Sequence, residues 1–189
     1  MPDHFAALDQ PRRPWLNADA LKECFHRASA SLHPDVPGTG DAARFAEASA
    51  AYSALRDPVG RLRHLLELEA PEMLGRASEI PPDFTDLFMR LAELRQSLNA
   101  FQKKEGAATQ GLARALLIGE RQLMLARVMA LKSDLDSSYE ASMVALQALD
   151  AEWEPRAADS IERLAAVQQR FAYLSKWRTQ LGESLFKLQ

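Results

Sequence analysis

The chain has 189 residues, 47% hydrophobic and 26% charged, with a single cysteine, eight glycines, ten prolines and a net charge of −3. That length suits one or two domains with a packed core, but five Val, three Ile and four Thr are too few for a strand-rich fold. The slight acidity argues against a general nucleic-acid binder.

Nine prolines fall within the first 82 residues and only Pro155 in the remaining 107. Proline breaks helix interiors, so short helices are expected first and long ones after. Cys24 has no disulfide partner, and no Cys/His cluster has metal-ligand spacing, so neither metal nor cofactor is expected. Residues 1–16 lack the basic and apolar regions of a secretory signal. Charges interrupt every apolar run short of the ~20 residues a membrane span needs. A cytoplasmic protein without a membrane partner is the expectation.

In chain order, Asn17 is a good N-cap for a helix carrying Leu21, Cys24, Phe25, Ala28 and Leu32 at helical spacing. That helix must stop before Pro34. A turn-rich stretch, His33 to Gly40, leads to Asp41, which can cap a second helix with Phe45, Ala48, Tyr52 and Leu55 on one side. Asp57-Pro58 then reads as an N-cap with proline in the first helical position, starting a helix with Leu62, Leu65 and Leu66 that ends before Pro71. Proline and glycine mark a linker at 73–83, between domains expected at 1–72 and 84–189.

Beyond it, Phe84, Leu87, Leu91, Leu94, Leu98 and Phe101 follow a 3-4-3-4-3 spacing, a seam for packing on other helices. Lys103 to Gly111 reads as a loop. Residues 112 to about 149 carry Leu116, Leu123, Val128, Leu131 and Leu135 at helical intervals, and Pro155 starts a last helix with Ile161, Leu164, Val167, Phe171, Leu174, Leu181 and Leu185. Three long helices with short connections predict an antiparallel bundle. The fold class is therefore all-α: a helical hairpin followed by a three-helix bundle.

His33-Pro34-Asp35 lies between two helices of the hairpin. Taken alone it is an ordinary turn, a helix-stopping proline beside a turn-forming aspartate. Its surroundings are more specific: Leu21, Phe25 and Leu32 before it, and Ala51-Tyr52-Ser53-Ala54-Leu55-Arg56-Asp57-Pro58 with Arg61 after it. This arrangement resembles a J-domain. Asp3-His4-Phe5, the stretch 11–16 and His64-Leu65-Leu66-Glu67-Leu68 resemble the HscB family of J-proteins in particular. So do Leu87-Phe88-Met89-Arg90-Leu91-Ala92-Glu93-Leu94-Arg95 and Tyr173-Leu174-Ser175-Lys176-Trp177-Arg178. The helix at 112–150 is longer than, and poorly matched to, the family pattern.

The resemblance implies a co-chaperone rather than an enzyme. Such a protein docks on a DnaK/HscA-type chaperone and speeds its ATP hydrolysis. Consistently, the sequence has no carboxylate pair, catalytic triad or phosphate loop. His33, Pro34 and Asp35 would be the stimulating residues. Pro34 fixes the loop backbone, Asp35 offers a carboxylate to an arginine of the chaperone, and His33 can donate a hydrogen bond. Lys22, His26 and Arg27 are the candidates for the basic docking face, with Ser29 and Ser31 standing where lysine or arginine is usual in J-domains.

At about 100° per residue, Phe88, Met89, Ala92, Glu93 and Gln96 form a second face of the 84–101 helix, away from its seam. Phe and Met on such a face mark either a binding surface or a second packed face. By resemblance this face, with Tyr173, would bind IscU, the scaffold for iron–sulfur clusters. Family members more often carry leucine at the position of Ala92 and glutamate at that of Gln96. Two alternatives stay open: a J-domain protein with a different client, and a helical adaptor whose J-like domain does not stimulate ATPase.

Overall fold

A computed structural model of the chain describes residues 2–33, 41–74, 79–108 and 111–188, the side chains of 112–114 excepted. Seven α-helices and no strand are present among these residues. The first is one turn, α1 (His4–Ala7), which composition and periodicity do not reveal. The Asp3 carboxylate caps it by accepting the N–H groups of Phe5 and Ala6 and is held by Arg12 at 2.7 Å.

Helices α2 (Ala18–Leu32), α3 (Ala42–Arg56) and α4 (Pro58–Glu69) start where their caps predict. The Asn17 side chain accepts from Ala20 N–H, Asp41 from Ala43 and Arg44, and Asp57 from Gly60, with Pro58 in the first turn of α4. Each cap satisfies donors that a helix N-terminus otherwise leaves unpaired, a contribution of about 1 kcal/mol. The pairings 32–41, 33–45 and 25–52 place low numbers on α2 against high numbers on α3, so the two helices are antiparallel.

The chain forms two compact units, and α6 (Gly111–Ala151) and α7 (Ala158–Leu188) contribute to both. One comprises Met1–Ala77 and Ser142–Phe171. Phe5, Leu21, Leu55, Leu62, Leu65 and Leu66 are fully buried there. Each buried leucine contributes about 2 kcal/mol. Arg61 is buried. Its Nε donates to Pro14 O and its Nη1 to Leu55 O, both at 2.8 Å, so the guanidinium ties the extended stretch before α2 to the end of α3. The α6–α7 turn is bound to the N-terminal residues of the same unit. Asp150 Oδ1 accepts from Arg13 Nε and from Trp15 N–H, Trp153 Nε1 donates to Arg12 O, and Arg156 faces Glu69.

The other unit comprises Ser78–Ala141 and Ala172–Gln189. Its core takes Phe84, Leu87, Leu94, Leu98 and Phe101 from the predicted seam, with Leu91 partly buried against them. Met124, Val128, Leu131 and Leu135 of α6 and Leu174, Trp177, Leu181 and Leu188 of α7 complete it.

Three sequence expectations are corrected. Helix α5 (Thr85–Ala107) continues through Lys103 and Gly106, where a loop was expected. Lys104–Glu120 and Glu105–Arg121 ion pairs hold its last turns to α6, and a glycine costs a helix only about 1 kcal/mol. Helix α7 begins at Ala158, not Pro155, because Arg156 adopts φ 64°, a left-handed conformation that a helix cannot include. Leu116 and Leu123 are exposed, at 75% and 65%, because the adjacent register, with Leu117 and Met124, faces the core. No helix among the described residues is long and apolar enough to cross a membrane.

Candidate functional site

The first candidate site is the loop end of the α2–α3 hairpin. The C-cap residue of α2 is His33, whose N–H donates to Ser29 O at 3.0 Å. Across the loop, Asp41 N–H donates to Leu32 O at 3.0 Å while the Asp41 carboxylate caps α3. The base of the loop is thus closed by backbone bonds on both helices. The exposed ring of His33 meets the half-buried ring of Phe45 edge to face, centroids 5.2 Å apart. Pro34 and Asp35 lie outside the described residues.

Farther down α2, Phe25 stacks on Tyr52 at 4.4 Å, locking the hairpin's inner side. Lys22, His26 and Arg27 are all exposed. Lys22 and His26 are one turn apart and line up with His33 along the helix. Arg27 is rotated away and donates to Cys24 Sγ at 3.1 Å. Asp19 and Glu23 share the outward surface of α2, so clustered positive charge is absent from this helix.

The second candidate site lies on α5 and α7. Phe88 and Met89 are 42% and 53% exposed. Phe88, Ala92 and Gln96 line a groove of about 350 Å³ together with Leu91, Arg95 and Trp177. Met89 and Glu93 are exposed on the outer side of the same helix. Trp177 is buried and serves as the floor. Its ring lies 6.4 Å from Phe88, 5.7 Å from Phe84 and 5.3 Å from Tyr173, so Tyr173 reaches the site through the tryptophan. Neither Trp177 nor Arg95 is singled out as a site residue by sequence spacing. A tryptophan within a heptad seam reads as core, and only the packing shows that it also supports the exposed aromatic.

Arg90, on the flank of this face, pairs with Asp86 and Asp134, orienting α5 on α6. These two carboxylates hold the guanidinium in its charged form. Its hydrogen bond to Asp134 is the leading cause, and burial is too slight to offset it. Among the described residues no group of three or more His, Cys, Asp or Glu side chains could hold a metal ion. The described residues offer the exposed His33 at one site and an apolar surface at the other.

No family model matches the chain. Two curated relatives, each named co-chaperone protein HscB homolog, from Bordetella avium and Bordetella petrii, are 36% identical to it over 72 residues, or 34% of the chain. The match spans 43% and 42% of those relatives' own lengths. Among solved structures, the chaperone HscB from Vibrio cholerae superposes with a TM-score of 0.59 over all of both chains, at 18% identity. The chain therefore has the all-α fold of an HscB protein along its whole length, and resembles HscB co-chaperones in sequence over about a third of it.

Proposed function

We propose that this chain is a cytoplasmic J-domain co-chaperone of the HscB type. It stimulates the ATPase of a DnaK/HscA-type chaperone through His33, Pro34 and Asp35, and delivers an IscU-like iron–sulfur scaffold through the α5–α7 face. The chain itself is not an enzyme in this reading, since ATP is hydrolysed on the chaperone. The observation that carries the proposal is the His-Pro-Asp tripeptide issuing from a hairpin whose loop base is closed by the Leu32–Asp41 bond. The likeness to HscB proteins in fold and partial sequence supports it.

Physically, a carboxylate at Asp35 suits an arginine on the chaperone, a charge-assisted contact roughly twice as strong as a neutral one. Lys22 and His26 extend the docking surface down α2, and Arg27 is exposed on a different side of the same helix. On the client side, Phe88 and Met89 offer apolar area, with Ala92, Glu93, Gln96 and Tyr173 around them. A different client is the second reading. Ala92 favours it, because a methyl at the centre of the face leaves less apolar area than the leucine common in the family.

The test is single-turnover ATP hydrolysis by a DnaK-type chaperone with wild type or Asp35→Ala. Loss of stimulation in the variant is expected. Equal stimulation by both would remove the J-domain role.

A further inference from the structure

Helix α6 leaves an apolar side open to solvent. Within residues 115–130, Leu117, Met124 and Val128 pack into the core of their unit. Leu116, Ile118, Leu123 and Met129 are instead 75%, 59%, 65% and 54% exposed. The three charged side chains of this segment all turn back to α5: Glu120 pairs with Lys104, Arg121 with Glu105, and Arg127 donates to Ser97 Oγ at 3.2 Å. Gln122 is left as the one polar residue of the outward side. Gly119 and Ala126, both exposed, run between its flanks. A Cβ added at Gly119 would meet nothing within 4 Å, so no contact inside the chain calls for a residue that weakens a helix interior.

A partner recognised by charge finds nothing to pair with here. A second copy of the chain does fit. At about 100° per residue, Ile118 and Met129, three turns apart, share one flank, and Leu116 and Leu123, two turns apart, share the other. A two-fold axis that sets two α6 helices antiparallel brings together residues of the same flank at equal distances from its centre. With that centre next to Leu123, Ile118 of each copy meets Met129 of the other, and Leu123 meets its own counterpart. Leu116 falls over Ala130 of the other copy, large against small, and Gly119 and Ala126 let the backbones come close. A helix face about 24 Å long, paired in this way, buries roughly 1,000 Å² in total, the small end of specific interfaces.

We infer that the outward side of α6 at 115–130 is the contact surface of a weak antiparallel dimer of this chain. The inference stands apart from the co-chaperone reading, because it uses neither the hairpin loop nor the α5–α7 face.

Sedimentation velocity of the full chain between about 5 and 500 μM should show wild type passing reversibly from monomer to dimer. Leu123→Lys places like charges at the axis and should raise the dissociation constant about tenfold or more. The position is exposed, so the thermal melt of this variant should match wild type. Ile118→Lys and Met129→Glu should each weaken self-association alone and recover it when mixed in equal amounts. Only the antiparallel pairing sets the introduced lysine against the introduced glutamate. Wild type that stays monomeric throughout would overturn the inference, as would self-association unaffected by Leu123→Lys. Monomeric wild type whose binding of an IscU-like scaffold is lost in Leu123→Lys would assign this side of α6 to the client instead. A mixture that fails to recover would contradict the antiparallel pairing on which the inference rests.

Discussion

The two candidate sites present their chemistry in opposite ways. At the end of the α2–α3 hairpin, few atoms are offered, and the fold spends polar bonds to define where they start: the Leu32–Asp41 backbone bond, the Asp41 cap and the His33 C-cap. On α5 and α7 the backbone is uninterrupted helix, and what is offered is apolar area, Phe88 above a buried Trp177 with Met89 exposed on the outer side of α5. In the co-chaperone reading, a loop of the first kind depends on each of its contact residues. A face of the second kind depends on apolar area rather than on any one residue. The contrast predicts that function and stability separate cleanly at both sites, by different means.

The largest stability effect should come from the hairpin's scaffold rather than its tip. A Cβ added at Gly60 would lie 2.6 Å from Ala54 O, a backbone atom that cannot swing aside. Gly60→Ala should therefore cost about 2 kcal/mol or more in urea unfolding, by forcing α4 away from the end of α3. An unchanged midpoint would mean that the two helices are not held as close as this contact requires.

On the apolar face, Phe88→Ser/Met89→Ser should weaken binding of an IscU-like scaffold about tenfold or more while the melting temperature shifts little. Scaffold titrations by calorimetry would measure it. Normal affinity would place the client elsewhere.

The smallest effect is a pH dependence in the N-terminal unit. His4 is held below the ordinary histidine range, first by burial and then by the neighbouring His64, 4.5 Å away between ring centroids; the Asp3, Glu67 and Glu47 carboxylates only partly oppose this. The fold thus favours the neutral ring. The unfolded chain binds the proton more readily, so this contribution is present above pH 6.5 and is lost as pH falls below it. Thermal melts between pH 7.5 and 5.5 should show a falling midpoint, with a shallower fall in His4→Gln. A midpoint that rises on acidification would contradict this sign.

Much of the hairpin was legible in the sequence because its determinants are local. Asn17, Asp41 and Asp57 each sit at the start of their helix and act within three residues. The errors in the long helices arise where two local readings compete and tertiary packing decides. Leu116 and Leu123 fit a heptad as well as Leu117 and Met124 do, and only the partner helices choose between them. Gly106 and the charges around it read as a loop until Glu120 and Arg121, on another helix, supply partners for Lys104 and Glu105. Pro155 is a sound helix starter, but the backbone at Arg156 turns the other way. At the candidate sites, the residue types were legible, whereas the supports were not. Trp177 beneath Phe88 and Phe45 against His33 are both contacts between different helices.

The most direct test of two separable contacts on one chain is the ATPase of a DnaK/HscA-type chaperone with and without an IscU-like scaffold. Wild type, Asp35→Ala and Phe88→Ser/Met89→Ser would be compared. Asp35→Ala should give no stimulation under either condition. Phe88→Ser/Met89→Ser should stimulate as wild type does without scaffold, and lose the further increase that scaffold brings. If all three proteins gave the same rates in both conditions, the account of this chain as a two-site co-chaperone would be contradicted.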